Sequence, residues 1–152
     1  MNCMEERFYT STEAAQITGC TRRQLQYWRD KGVVVPTVNT SGKGRNVYYS
    51  PSDLLALKVM EYLLSIGLSF EVCKTALNSL KAAEPKFFTN PFSYKAMTRF
   101  MLWQKAPGNK LDIAEFDEEK AIAAIKSGQA VVPFWTEIVK RQLQEGFQAF
   151  GK

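Results

Sequence analysis

The sequence predicts an α+β fold in two parts, a mostly helical N-terminal half over residues 1–84 and a small α+β module over residues 85–152. Three observations predict it. Before residue 70, Ser or Thr stands four times at a helix-start position. Apolar residues follow these starts at helical spacing. After Pro85 the pattern changes to short apolar runs bounded by Pro and Gly, the mark of strands. With 45% hydrophobic and 12% aromatic residues, 152 positions suffice for a buried core, and disorder is excluded.

Taken in order, Thr10-Ser11-Thr12-Glu13 is a capping box, and Ala14, Ala15 and Ile17 give a short helix stopped by Gly19. Thr21-Arg22-Arg23-Gln24 opens a second helix ending near Gly32. Leu25 and Trp28, three apart, face inward together. Arg22, Arg23, Gln26, Tyr27 and Arg29 occupy the other face, with packing on the helix flank the alternative for Tyr27. Two short helices joined by Gly19-Cys20 match a helix-turn-helix. The β-prone runs Val33–Val38 and Val47–Tyr49 flank the Gly-rich turn 39–46 and predict a hairpin whose tip carries Lys43 and Arg45. Ser50-Pro51-Ser52-Asp53 starts a helix through about Ser65, with Leu54, Leu57, Met60 and Leu64 inward. After Ile66-Gly67-Leu68, Ser69 caps another, with Val72, Cys73, Ala76, Leu77 and Leu80 in the core.

Charge points to a partner. Between Arg22 and Arg45 stand six cations (Arg22, Arg23, Arg29, Lys31, Lys43, Arg45) and one acid, Asp30. That window holds the entire net charge of +5, as a surface that neutralises phosphates requires. Arg and Gln can each make paired hydrogen bonds to guanine and adenine edges, and Tyr and Arg also reach phosphates. The predicted double-stranded DNA-binding residues are Thr21, Arg22, Arg23, Gln24, Gln26, Tyr27, Arg29, Lys43, Arg45, Tyr48 and Tyr49.

Other classes lose support. With no histidine, Ser-His and Cys-His nucleophile pairs and histidine metal ligands are excluded. Cys3, Cys20 and Cys73 form no Cys-x-x-Cys, which disfavours a zinc finger or dithiol site; Cys20 and Cys73 are read as small buried residues, with a sulfur-based metal sensor assembled in space as the alternative. The turn at 42–45 lacks the spacing of a phosphate-binding P-loop. No catalytic residue, cofactor or metal is expected, and the chain is not read as an enzyme. No apolar run approaches the roughly 20 residues that span a bilayer. The first residues carry no secretory pattern, so a cytoplasmic location is expected.

The stretches Tyr9–Gly19, Thr21–Pro36, Gly42–Arg45 with Tyr48-Tyr49-Ser50, Asp53-Leu54 and Ile66–Val72 resemble, in that order and spacing, the MerR family of bacterial transcription regulators. The likeness covers about residues 8–81. It implies a winged helix-turn-helix that binds operator DNA as a dimer, with RNA polymerase at the promoter as a further partner. Two features depart from the family pattern. Val47 stands where the family usually has Arg, leaving Arg45 as the nearby cation. Lys81–Pro85 ends a short helix where the family continues into a long dimerising coiled coil.

In the second half, Lys86–Phe92 reads as an aromatic connector. Arg99–Gln104 and Leu111–Phe116 read as strands around a Pro107-Gly108-Asn109 turn. Glu118–Lys126 reads as a helix, Ala130–Trp135 as a strand, and Thr136 as the cap of a last helix to about Phe150. The segment 118–132 resembles a MerR-like subgroup with a compact α/β C-terminal domain, which implies a homodimerisation or effector role. Phe100, Trp103, Phe116, Phe134, Trp135 and Phe147 are read as core or dimer interface, with an apolar ligand pocket as the alternative.

The predicted function is a sequence-specific DNA-binding transcription regulator. The alternatives are a DNA-bending recombination or architectural accessory factor of excisionase type, and a protein-interaction module whose basic patch meets an acidic partner.

Overall fold

The computed structural model describes residues 7–40, 47–89, 91 and 98–151. The N-terminal half runs α1 (Ser11–Thr18), α2 (Arg22–Asp30), β1 (Val38–Asn39), β2 (Val47–Tyr48), α3 (Pro51–Ser65), α4 (Phe70–Ala83) and α5 (Pro85–Thr89). The second half runs β3 (Arg99–Trp103), β4 (Asp112–Glu115), α6 (Glu118–Lys126), β5 (Val131–Trp135) and α7 (Thr136–Phe150). The fold is α+β, as the sequence predicts.

Local chemistry explains the helix starts. Thr10 with Glu13, Thr21 with Gln24, and Ser50 with Asp53 form reciprocal capping boxes, and Ser69 accepts a hydrogen bond from the Val72 N–H. Gly19 ends α1 in the left-handed conformation, φ 82°. Helix α3 is the central strut. Leu54, Leu55, Ala56, Leu57, Val59, Met60 and Leu63 are all buried, so it is covered on more sides than a single apolar stripe would require.

The β1–β2 hairpin is antiparallel, pairing Val38 with Tyr48 and Asn39 with Val47. It is shorter than the β-prone sequence runs. The Trp28 carbonyl accepts hydrogen bonds from the Val33 and Val34 N–H groups, at 2.8 and 3.4 Å, so these valines close the end of α2 and bury their side chains. A backbone bridge, Tyr9 N–H to Tyr49 O at 2.9 Å and Tyr49 N–H to Tyr9 O at 2.8 Å, ties the hairpin to the segment leading into α1.

The second sheet has the order β4-β3-β5, wholly antiparallel, with Phe100 opposite Glu115 and Phe134. Part of the predicted aromatic connector is the helix α5, with Phe87 and Phe88 buried. Thr136 does not cap α7. It is the first helical residue, and its hydroxyl donates to the Thr98 carbonyl at 2.7 Å.

The two halves share one core. Helix α7 packs against α1 and α3, and buried Val139, Leu143 and Phe147 join the cluster that holds Ile17, Leu54 and Leu57. The α1–α7 crossing is close. A Cβ on Gly146 would lie 1.9 Å from the Ile17 carbonyl oxygen, so only glycine permits this approach. Of the six aromatics assigned to core or interface, Phe100, Phe134 and Phe147 are buried, Trp103 and Trp135 are half-buried, and Phe116 is exposed.

Candidate nucleic-acid interface

Helix α2 separates its residues sharply. Leu25 and Trp28 are each 2% exposed and anchor the helix to the core. Arg22, Arg23, Gln26 and Tyr27 are exposed on the outer side, and Arg29 is half-buried. With Ser11, Asp30 and Tyr49 they line a shallow concavity of about 530 Å³.

Local bonds orient this face. Arg22 Nη1 donates to Thr12 Oγ1 at 2.6 Å, fixing the guanidinium against α1. Gln26 Nε2 donates to Asp30 Oδ1 at 2.9 Å, one turn along the helix. Among the described residues Arg23 has no hydrogen-bond or ion-pair partner, so its five donors face outward. The Tyr27 ring packs at 5.3 Å on Phe70, and the Lys31 ammonium stands 5.6 Å over it. Tyr27 thus combines the two roles weighed for it, flank packing with 46% of its surface left open.

Not every predicted contact faces outward. The Thr21 hydroxyl accepts from the Gln24 N–H at 3.0 Å, and Gln24 Oε1 accepts from the Thr21 N–H at 2.9 Å, so both side chains are occupied as caps. At the hairpin, Tyr48 is exposed but Tyr49 is 1% exposed. The assignment of Tyr49 to the DNA-facing set is therefore corrected: strand alternation sends only one of the adjacent tyrosines outward. Burial pushes the Tyr49 hydroxyl up to about 12. Lys43 and Arg45 lie outside the described residues.

The root of the hairpin is held by one carboxylate. Asp53 Oδ2 accepts from the Thr37 N–H at 2.7 Å, the Thr37 hydroxyl at 2.6 Å and the Ser50 N–H at 2.9 Å. It thereby links the start of α3 to the residue before β1. Thr12, Lys31 and Phe70 also belong to this surface. Lys31 was visible within the cationic window, whereas the other two are brought there only by tertiary packing.

Residues 9–80 match the MerR HTH family regulatory proteins. These residues form a MerR-family helix-turn-helix domain. Three relatives, one from Mycobacterium bovis and two from strains of Mycobacterium tuberculosis, each bear the name uncharacterized HTH-type transcriptional regulator. Each is 38% identical over 74 residues, which is 48% of this chain but 33% of the relative. The chain thus matches about a third of the length of these relatives. Among the described residues no three His, Cys, Asp or Glu gather as a metal site, and no helix is long and apolar enough to cross a membrane.

Burial pushes the Cys20 thiol up to about 12 and the Cys73 thiol up to about 11. Both are packing residues beneath the domain.

Proposed function

We propose that the protein is a sequence-specific DNA-binding transcription regulator that acts as a homodimer. Helix α2 enters the major groove, Arg22, Arg23 and Gln26 read base edges, and Tyr27, Arg29 and Tyr48 settle on phosphates together with Lys43 and Arg45. The observation that carries this reading is the exposed Arg22–Arg23–Gln26 face backed by fully buried Leu25 and Trp28, within a MerR-family domain. The names of the relatives favour transcription over an accessory role in recombination.

Residues 85–152 are the dimerisation or effector module, and RNA polymerase at the promoter is the expected protein partner. Selection of bound fragments from a random DNA pool tests the reading. A palindromic consensus is expected, its half-sites about one helical turn or a multiple of it apart. Recovery of fragments without a shared sequence would refute base recognition.

A further inference from the structure

Helix α6 is packed the wrong way round for a helix that works alone. Two of its three alanines, Ala121 and Ala124, are buried, and it packs beside β5. Its large apolar residues face water: Ile122 is 45% exposed and Ile125 60%. Glu118 and Glu119 stand at one end of the same surface and Lys126 at the other, all exposed. At 3.6 residues per turn, Glu118, Glu119, Ile122, Ile125 and Lys126 fall within an arc of about 120°. Glu118, Glu119, Ile122 and Lys126, with Ala123, line a shallow groove of about 500 Å³.

This surface is complementary to itself. Two copies of α6 laid antiparallel about a twofold axis at Ile122 bring Ile122 against Ile122. The same operation sets Glu118 opposite Lys126 twice and Glu119 beside Ile125 twice. A twofold contact requires one patch to match its own rotated image, and an acidic end, an apolar middle and a basic end satisfy that requirement. A helix with one sign of charge at both ends would instead call for a partner of opposite charge.

We propose that the exposed face of α6 is the surface through which two copies of this chain associate, as an antiparallel helix pair with Ile122 at its centre, Ile125 and Glu119 flanking it and Glu118–Lys126 pairs at its rim. The inference rests on the dimeric reading above and adds where the contact lies. It also supplies an association surface to a chain whose α4 ends at Ala83 and is followed by the five-residue α5.

The test is sedimentation of the full chain from micromolar to near-millimolar concentration, with thermal melting beside it. Ile122→Asp introduces a charge at the twofold axis in both copies and is expected to weaken self-association by about 100-fold. Glu118→Lys and Lys126→Glu, tested singly, each place like charges opposite one another and are expected to weaken it by about tenfold. An equimolar mixture of these two variants restores both complementary pairs and is expected to recover dimers, which neither forms alone at the same concentration. All three positions are exposed in the protomer, so melting temperatures should stay near that of the parent chain. A parent dimer that Ile122→Asp leaves intact, or a mixture that stays monomeric, would overturn the α6 assignment while leaving the dimeric reading in place. A parent chain that is monomeric throughout and occupies palindromic DNA as a single copy would overturn both.

Discussion

Substituting Gly146 by Ala should destabilise the protein, although helix propensity alone predicts the opposite. In a helix interior Ala is favoured over Gly by about 1 kcal/mol. Here the added Cβ would stand 1.9 Å from the Ile17 carbonyl oxygen and 3.0 Å from its carbon. The obstacle is backbone, so no rotamer change relieves it, and α1 and α7 must separate by more than an ångström. Overpacking of this kind costs about 1–3 kcal/mol beyond the propensity gain. A net loss of about 2 kcal/mol corresponds to a fall in Tm of about 4–8 °C for a chain of this size. Differential scanning calorimetry measures it, with Gly151→Ala as the control because a Cβ there meets nothing closer than 3.4 Å. Since α1 also carries Thr12, which holds Arg22, the variant should bind operator DNA more weakly even well below its melting temperature. A Gly146→Ala protein that melts at or above the parent temperature would refute the close-crossing argument.

Three further predictions follow from the DNA-facing surface and the core beneath it. Arg23→Ala should reduce the slope of log affinity against log salt by about one unit if its guanidinium meets a phosphate, or cost about 1–3 kcal/mol with relaxed specificity at one position if it reads a base, and a salt titration on matched and mismatched duplexes separates the two. Tyr48→Ala should weaken DNA binding with little change in stability, whereas Tyr49→Ala should cost about 3–5 kcal/mol of stability by opening a core cavity, so urea melts and binding curves should rank the two variants oppositely. Stability should fall as pH rises above about 9. The unfolded chain releases the Cys20 proton at its ordinary value of 9.0 while the folded chain holds it to about 12, so alkaline conditions favour the unfolded state. Cys20→Ala should flatten that part of the pH–stability curve, and an unchanged slope would count against burial of the thiol.

Features governed by neighbours in sequence were legible. The caps at Thr10, Thr21 and Ser50, the Gly19 stop and the division of α2 into a Leu25–Trp28 back and a cationic front all arise within a few residues of chain. The errors lie where tertiary structure decides. Val33 and Val34 have strand propensity, but the Trp28 carbonyl captures their amides. Tyr48 and Tyr49 are equivalent as letters, and only the hairpin register separates them. Thr136 has the chemistry of a cap, yet a carbonyl 38 residues away takes its hydroxyl. The Gly146–Ile17 approach and the support of Tyr27 by Phe70 join residues too far apart in sequence for any periodicity to reveal.

Tyr9 sits where three parts of the chain meet. Its backbone is bridged to Tyr49, its ring lies 5.6 Å from Phe147, and it immediately precedes the capping residue of α1. A fragment cut at residue 84 would keep every side chain of the helix-turn-helix and still strip the cover from this ring, from Ile17 and from the flank of α3. Such a shortened piece would present fresh greasy surface to solvent, and its clumping would be an artefact of the scissors rather than a property of the intact polypeptide.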